Sequence, residues 1–391
     1  MRHLPLLALV LLAGVPHDDT PGLPPSQVVA PDPAFRLADS VRAQLTLISD
    51  LALDGDGSLY LADGLFPAVL HLEPNGELRR ILGRAGDGPG EFVRVSQLGV
   101  VRDSLWVSDF GLLRVTLFPR DGRGQRTVNF GAPPRGAGAA GPLSRGLVTA
   151  MLPDGQMLLE TVETADGSRG GEPRRRLALG ASRELAVRDT LLVLPIEHPS
   201  MRFFYRQGAS YIQQPFSDDP LMAIASDGSL LVKVERAVAR DREEATFTVG
   251  AWRNGRTPAW SRDITYRPAP LTDALVDSIM GLYDLPSGPG TRTPITGDSV
   301  RRRLYRPPVF PPVERVVVGR DRSVWLKVHF ADSPKDRAEW LLLSPNGFPV
   351  RRVSTDPRFR PFEVTRATLW GAIIDPDDVP QVVRYRVPPA S

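Results

Sequence analysis

The feature that most constrains this chain is a short segment that recurs six times. Asp56–Asp63 (DGSLYLAD) has a near copy in Asp227–Val234 (DGSLLVKV). Looser copies are Arg102–Asp109 (RDSLWVSD), Pro153–Leu159 (PDGQMLL), Asp321–Leu326 (DRSVWL) and Thr365–Trp370 (TRATLW). Each follows an apolar run such as Leu51-Ala52-Leu53, Leu98–Val101 or Val316–Val318. An apolar run, an Asp/Gly turn and a second apolar run form a β-hairpin signal. Gly supplies positive φ at such a turn, and Asp bonds its own backbone there. A third and a fourth strand follow in most copies: Val69–Leu72 and Glu77–Leu82, Arg114–Phe118 and Gln125–Phe130, Trp340–Leu343 and Pro349–Val353. Tight turns such as Pro74-Asn75-Gly76 join them. Four-stranded meanders repeated radially are the blades of a β-propeller.

The anchor residues Ser58, Ser104, Gln156, Ser229, Ser323 and Thr368 lie 46, 52, 73, 94 and 45 positions apart. The short spacings match the roughly 40–50-residue period of propeller repeats. The two long ones hold insertions. One contains an Asp/Gly/Arg-rich loop (166–176) and a Pro- and aromatic-bearing stretch (195–220), with a degenerate seventh blade in 190–217 as the alternative. In the other, Leu271, Leu275, Ile279, Leu282 and Tyr283 recur at helical spacing behind the cap Thr272. A second short helix is expected at Asp298–Tyr305, before the extended Arg306–Pro312. Residues 35–391 therefore read as an all-β, six-bladed β-propeller of four-stranded antiparallel blades. A small helical insertion (about 268–312) falls between blades four and five, as a lid or brace on one face. A strand from the N-terminal segment 26–48 is expected to close the ring on the last blade.

Composition sharpens the picture. The 39 Pro and 35 Gly in 391 residues are turn punctuation, and the absence of Cys excludes disulfides, thiolate metal sites and cysteine nucleophiles. Lys plus Arg (48) nearly balances Asp plus Glu (45). The clusters Arg174-Arg175-Arg176 and Arg301-Arg302-Arg303 read as a solvated loop and a helix face, so nucleic acid is not the expected partner. Met1-Arg2-His3 and the apolar Leu4–Val15 read as a secretory leader, too short to span a bilayer. We assign 1–20 as signal peptide and 21–34 as linker. The product is expected to be exported, periplasmic or secreted, not membrane-spanning, and monomeric.

The junction Gly83–Phe92 (GRAGDGPGEF) resembles the linker of NHL repeats. Leu98–Val101, Arg102-Asp103-Ser104, Leu105–Asp109 and Leu113-Arg114-Val115 continue that pattern through the second blade. The first blade matches over Asp54–Asp63 but has Pro67-Ala68-Val69 where the family shows Asn-Arg-Ile. The whole chain resembles bacterial secreted, six-bladed, TolB-like propellers of the NHL type. Gly86, Gly88 and Gly90 suit a sharp crossing between blades, with Phe92 as a wedge. As a phosphate loop the junction lacks a following helix and a Lys-Ser/Thr, and Glu91 would repel the anion.

The resemblance includes lyases and lactonases with a metal in the central channel. Three His follow the leader: His71, His198 and His329, none paired at ligand spacing. Asp54-Gly55-Asp56-Gly57 superficially resembles a calcium loop but lacks the further acids and terminal Glu. Asp63 and Asp109 are expected to organise the turns that follow them. The acids Asp218-Asp219 and Asp375, Asp377 and Asp378 pair in loops. No G-x-S-x-G elbow occurs. The sequence thus assigns no catalytic, cofactor-binding or metal residue and requires no cofactor, calcium or zinc being the candidates if one binds. The leading reading is a non-catalytic binding scaffold whose mouth loops hold a protein, peptide or glycan. The alternatives are a metal-dependent lactonase or lyase in the channel, and a structural surface protein whose mouth is plugged by the insertion.

Overall fold

The computed structural model describes residues 22–389 apart from 121–123, 130–146, 166–171, 183–185, 206–207, 237–243, 282, 284–294 and 376–378. The expected leader and the carboxylates Asp377 and Asp378 lie outside the described residues. After β1 (Ser26–Val28) and the short α1 (Asp39–Arg42), the chain forms six sheets in succession. Blade one is β2–β5 (Ile48–Leu53, Leu59–Asp63, Val69–Leu72, Leu78–Leu82). The short pair β6 (Arg84–Ala85) and β7 (Glu91–Phe92) leads into blade two, β8–β11 (Val95–Val101, Ser104–Asp109, Arg114–Pro119, Arg126–Asn129). Blade three is β12–β15 (Leu147–Met151, Met157–Thr164, Pro173–Ala181, Val187–Pro195), followed by a hairpin, β16–β17 (Met201–Tyr205, Gly208–Ile212). Blade four is β18–β21 (Leu221–Ile224, Leu230–Glu235, Ala245–Arg253, Thr257–Tyr266). The insertion carries α2 (Asp273–Gly281) and α3 (Gly297–Arg301). Blade five is β22–β25 (Val313–Val318, Val324–Val328, Ala338–Leu343, Pro349–Thr355), and blade six is β26–β28 (Arg360–Val364, Thr368–Ile374, Pro380–Arg386). The stretch 190–217 contributes the last strand of blade three and a hairpin, so the described residues form no seventh blade.

Six apolar clusters occupy the six junctions between neighbouring blades. Leu98, Val107 and Phe92 meet Tyr60 and Val69 between blades one and two. Trp106 and Val115 meet Met157 and Leu159 between two and three, and Leu158 and Leu194 meet Leu231 between three and four. Phe247 and Tyr266 meet Leu326 and Phe330 between four and five; Trp325 and Trp340 meet Leu369 and Tyr385 between five and six. Trp370 and Val382 meet Leu51 and Leu61 between six and one. Both faces of each sheet are therefore buried, which is why β3 and β24 are buried along their whole length.

The closing strand does not complete the last blade. β1 runs parallel to β25 and adds a fifth strand to blade five, with Ser26 opposite Arg352 and Val28 opposite Ser354. Blade six keeps three strands, and the next residues reach it by a single bridge, Pro31 to Tyr385. Pro31-Asp32-Pro33 explains the difference. Two of the three residues lack an N–H, so no ladder can continue. The remaining N–H, that of Asp32, donates to Arg384 O at 2.7 Å, and its carboxylate takes the Arg384 and Arg386 guanidiniums. Phe35 then stacks edge-on against Trp370 at 4.6 Å, so one segment fastens blades five, six and one.

The Gly-rich junction works as its composition implies. Phe92 is fully buried, and a Cβ at Gly83 would meet its ring at 2.4 Å. Gly86 and Gly90 have positive φ, and Glu91 caps the loop by accepting from the Gly88 N–H at 2.9 Å. Buried Arg114 holds the loop carbonyls, donating to Asp87 O at 2.7 Å and Gly88 O at 2.8 Å. Phe35→Ala should cost about 3–5 kcal/mol of unfolding free energy in a denaturant titration, the usual range for an emptied aromatic site in a core. A loss under about 1 kcal/mol would show that the seam does not carry the ring.

Candidate functional site

Five of the six inner strands break register near their start, between Ile48 and Asp50, Val95 and Gln97, Val148 and Ala150, Val313 and Arg315, and Pro361 and Glu363. The pairing of β18 has no such shift. A bulge re-aims the extra side chain. In blade five that residue is Glu314, which it turns into an open cavity of about 660 Å³. The cavity lies on the face where inner strands begin, between blades three, four and five, and is roofed by the insertion.

Its walls combine aliphatic and charged groups. α2 contributes Leu275 and Ile279, the chain after β15 contributes Ile196, and Phe216 and Phe310 close the far side. The helix starts where its sequence cap lies: the Leu275 N–H donates to Thr272 Oγ1 at 3.4 Å. Val276 and Met280, on its other side, bury against Met201 and Phe203 of the hairpin. α3 is capped by Thr296 with Ser299 in a reciprocal box. The insertion is thus a brace with its own small core. Its arginines complete it: Arg301 pairs with Asp277 at 2.6 Å, and Arg303 lies over the Phe203 ring at 5.0 Å.

Two of the three candidate histidines line this cavity, each committed to a carboxylate. His198 Nε2 is 3.0 Å from Asp218 Oδ1, and its ring stacks on Tyr305 with centroids 3.4 Å apart. Burial and the Asp218 carboxylate push the Tyr305 hydroxyl up to about 12. Asp219 accepts the backbone N–H groups of Glu197, at 2.9 Å, and His198. His329 Nε2 and Lys327 Nζ both reach Glu314, at 2.9 and 2.8 Å. Burial alone would raise the Glu314 carboxyl, but the His329 hydrogen bond and the Lys327 ammonium outweigh it and hold it at about 2.

His71 lies elsewhere, in β4 of blade one. Arg80 Nε–H donates to its Nδ1 at 3.2 Å, so Nε2 carries the proton toward Ser58 Oγ at 3.1 Å, and Ser58 donates to Asp56 at 2.6 Å. Burial holds this imidazole near 4, neutral and structural. Asp54 and Asp56 form a turn, not a calcium loop. Asp56 accepts from the Ser58 N–H and hydroxyl, and Asp54 meets the Gly55 N–H, Tyr60 and Arg120. Asp375 is taken by the Val379 N–H and Gln381. Among the described residues, no three His, Asp or Glu side chains gather as metal ligands. Asp63 and Asp109 do more than organise the following turn. Asp63 accepts from Thr46, Leu47 and Leu65 N–H groups, and Asp109 from Val93, Arg94 and Leu112, tying each turn to the chain entering the blade.

Sequence reading missed the arginines of the cavity and the acids of the ring centre. Arg174-Arg175-Arg176 lies on β14, not in a loop. Arg175 pairs outward with Glu163 at 2.7 Å, while Arg176 forms cavity wall beside Arg236. At the ring centre Asp50 accepts the Leu98 N–H at 2.9 Å, and Glu363 accepts the Ser226 hydroxyl at 2.8 Å. Trp106 Nε1 donates to Ser226 O at 3.3 Å and Arg320 to Leu53 O at 2.6 Å, so cross-ring bonds bridge the end opposite the cavity.

No protein-family model and no curated protein matches the chain. Solved structures do. A member of the DUF4221 family from Bacteroides vulgatus aligns over 92% of this chain and 97% of its own, at 11% identity and a TM-score of 0.46. Virginiamycin B lyase from Staphylococcus aureus aligns over 90% and 98%, at 11% identity and 0.42. Regucalcin, a calcium-binding protein from Agrobacterium tumefaciens, aligns over 94% and 98%, at 10% identity and 0.42. Identities this low assign no chemistry to this chain. Among the described residues, no helix is long and apolar enough to cross a membrane.

Burial pushes Glu363 up to about 8 and Asp50 to about 7. The folded chain therefore keeps protons that the unfolded chain releases near 4.5 and 3.8. Stability from these groups is full below those lower values and is lost as pH rises toward 8. Melting temperature should fall between about pH 5 and pH 8, and Glu363→Gln should flatten that fall while leaving the share due to Asp50. An unchanged slope in the variant contradicts this assignment.

Proposed function

We propose that the protein is an exported, non-catalytic binding scaffold whose ligand, a peptide or glycan segment of a partner, enters the cavity beneath the helical insertion. The observation that carries this reading is the cavity's composition. It has the volume of small-ligand sites, which run from about 300 to 1,000 Å³, and it joins apolar walls to a few placed polar groups. General acid–base work asks for a group left available to the substrate. Here His198 and His329 are each tied to a carboxylate, and the acids they hold are tied in return. Export rests on the basic start and the apolar run Leu4–Val15. Kinship with NHL-type propellers rests on the Gly83–Phe92 junction and the strands that follow it.

The Cys-free chain allows a clean test. A single cysteine at Ser200, on the cavity wall, and a control at Ala367, in an exposed turn at the opposite end of the ring, would each carry a photo-crosslinker. In native envelope extract, Ser200→Cys should give a discrete adduct that Ala367→Cys does not. Equal adducts from both positions, or adducts from the turn alone, would sink the proposal.

A further inference from the structure

Among the described residues, the cavity holds two cations that no carboxylate neutralises by contact. Arg236, 7% exposed, donates Nε–H to Asp219 O at 2.8 Å and Nη1–H to Val313 O at 2.6 Å. Arg176 donates Nη2–H to the next carbonyl, Pro220 O, at 3.1 Å, and its buried Nε–H finds no partner among the described residues. Among the described residues, neither guanidinium makes an ion pair. Both are held on consecutive neutral carbonyls at the wall of the cavity.

The surrounding acids do not fill that role. Asp219 is taken by two backbone N–H groups, Glu314 by Lys327 and His329, and Asp218 by His198. Glu160 lies within electrostatic reach of Arg176 but makes no ion pair with it among the described residues, and burial raises its carboxyl. Burial outweighs the neighbouring carboxylates at Arg236 and pulls it down to about 10. A buried cation lacking a counter-charge costs folding free energy, and a bound anion returns it. Guanidiniums match carboxylates in shape as well as charge.

Resting on the binding-scaffold reading above, we infer that the cavity captures the C-terminal carboxylate of a peptide, placing it against Arg176 and Arg236 with the last side chain among Leu194, Leu275 and Ile279. The walls select this ligand. Aliphatic groups beside the cations suit an apolar terminal residue better than a sugar ring, and Ser200 and Gln213 line the same wall where peptide amides would run.

The probes are N-acetylated tripeptides ending in Leu or Phe, each as the free acid and as the C-terminal amide, with decanoate as a third arm. Binding to the full chain is read by ligand-observed NMR and calorimetry. The acids should bind at least tenfold more tightly than the amides and weaken as salt rises. Arg176→Gln should shrink the difference between acid and amide several-fold by weakening the acids more than the amides, and Arg176→Lys should restore part of it. The comparison of acid with amide on the unaltered protein is decisive even if a variant folds poorly. Equal binding of acids and amides overturns the carboxylate inference and leaves the scaffold reading standing. Tighter binding of decanoate than of any peptide acid overturns the peptide. Binding of none of them overturns this inference too, while the Ser200 crosslink decides the scaffold reading separately.

Discussion

Everything in this molecule depends on the ring being closed. Each blade buries one face against each neighbour, so a gap at one junction would expose apolar surface such as Trp370 and Leu51 that nothing else covers. The seam is fastened by a segment outside the repeats. β1 joins blade five, Asp32 holds blade six through Arg384 and Arg386, and Phe35 packs where blade six meets blade one. Residues more than 350 positions apart thus meet, as in the Arg384–Asp32 hydrogen bond, whose partners are 352 apart in sequence. Closure is entropically expensive because it joins residues separated by nearly the whole chain. The clasp offsets that cost with an apolar contact and a paired carboxylate together.

A closed ring gives the site its rigidity and its sidedness. Ser226, Trp106, Glu363 and Arg320 bond across the centre near the hairpin turns. The opposite face keeps the 660 Å³ cavity. The insertion is anchored there at its base: Pro268 bridges Phe330 of blade five, and Pro270 bridges Val309 of the returning segment. Because α2 has its own core with the hairpin, Leu275 and Ile279 are presented to the cavity from a fixed support. The arginines are fixed in the same way, by carbonyls of the segment that opens blade four.

Much of this was legible in the sequence, and the parts that were not have physical causes. The turns were readable because Gly57, Gly155 and Gly228 need positive φ and Asp56, Asp154 and Asp227 bond their own turns. The insertion helix was readable because Thr272 marks its start. Blade three was harder: Arg174-Arg175-Arg176 looks like solvent, yet β14 sends only the first two outward. The acids of the ring and cavity were hidden by the bulges. A bulge breaks the two-residue alternation that tells inward from outward, so Asp50, Glu314 and Glu363 gave no sign of where they would point. The closing strand departs from the repeat pattern because Pro31 and Pro33 lack the N–H groups that a ladder on blade six would need.

The central claim is that ligand is bound under the insertion, between blades three, four and five. Amide hydrogen exchange of the full chain, with and without the partner it captures, tests it most directly. The account predicts new protection confined to 196–200, 213–221 and 273–281. Protection instead around Leu65, Val93 and Phe110, three exposed apolar residues on blades one and two, would contradict it.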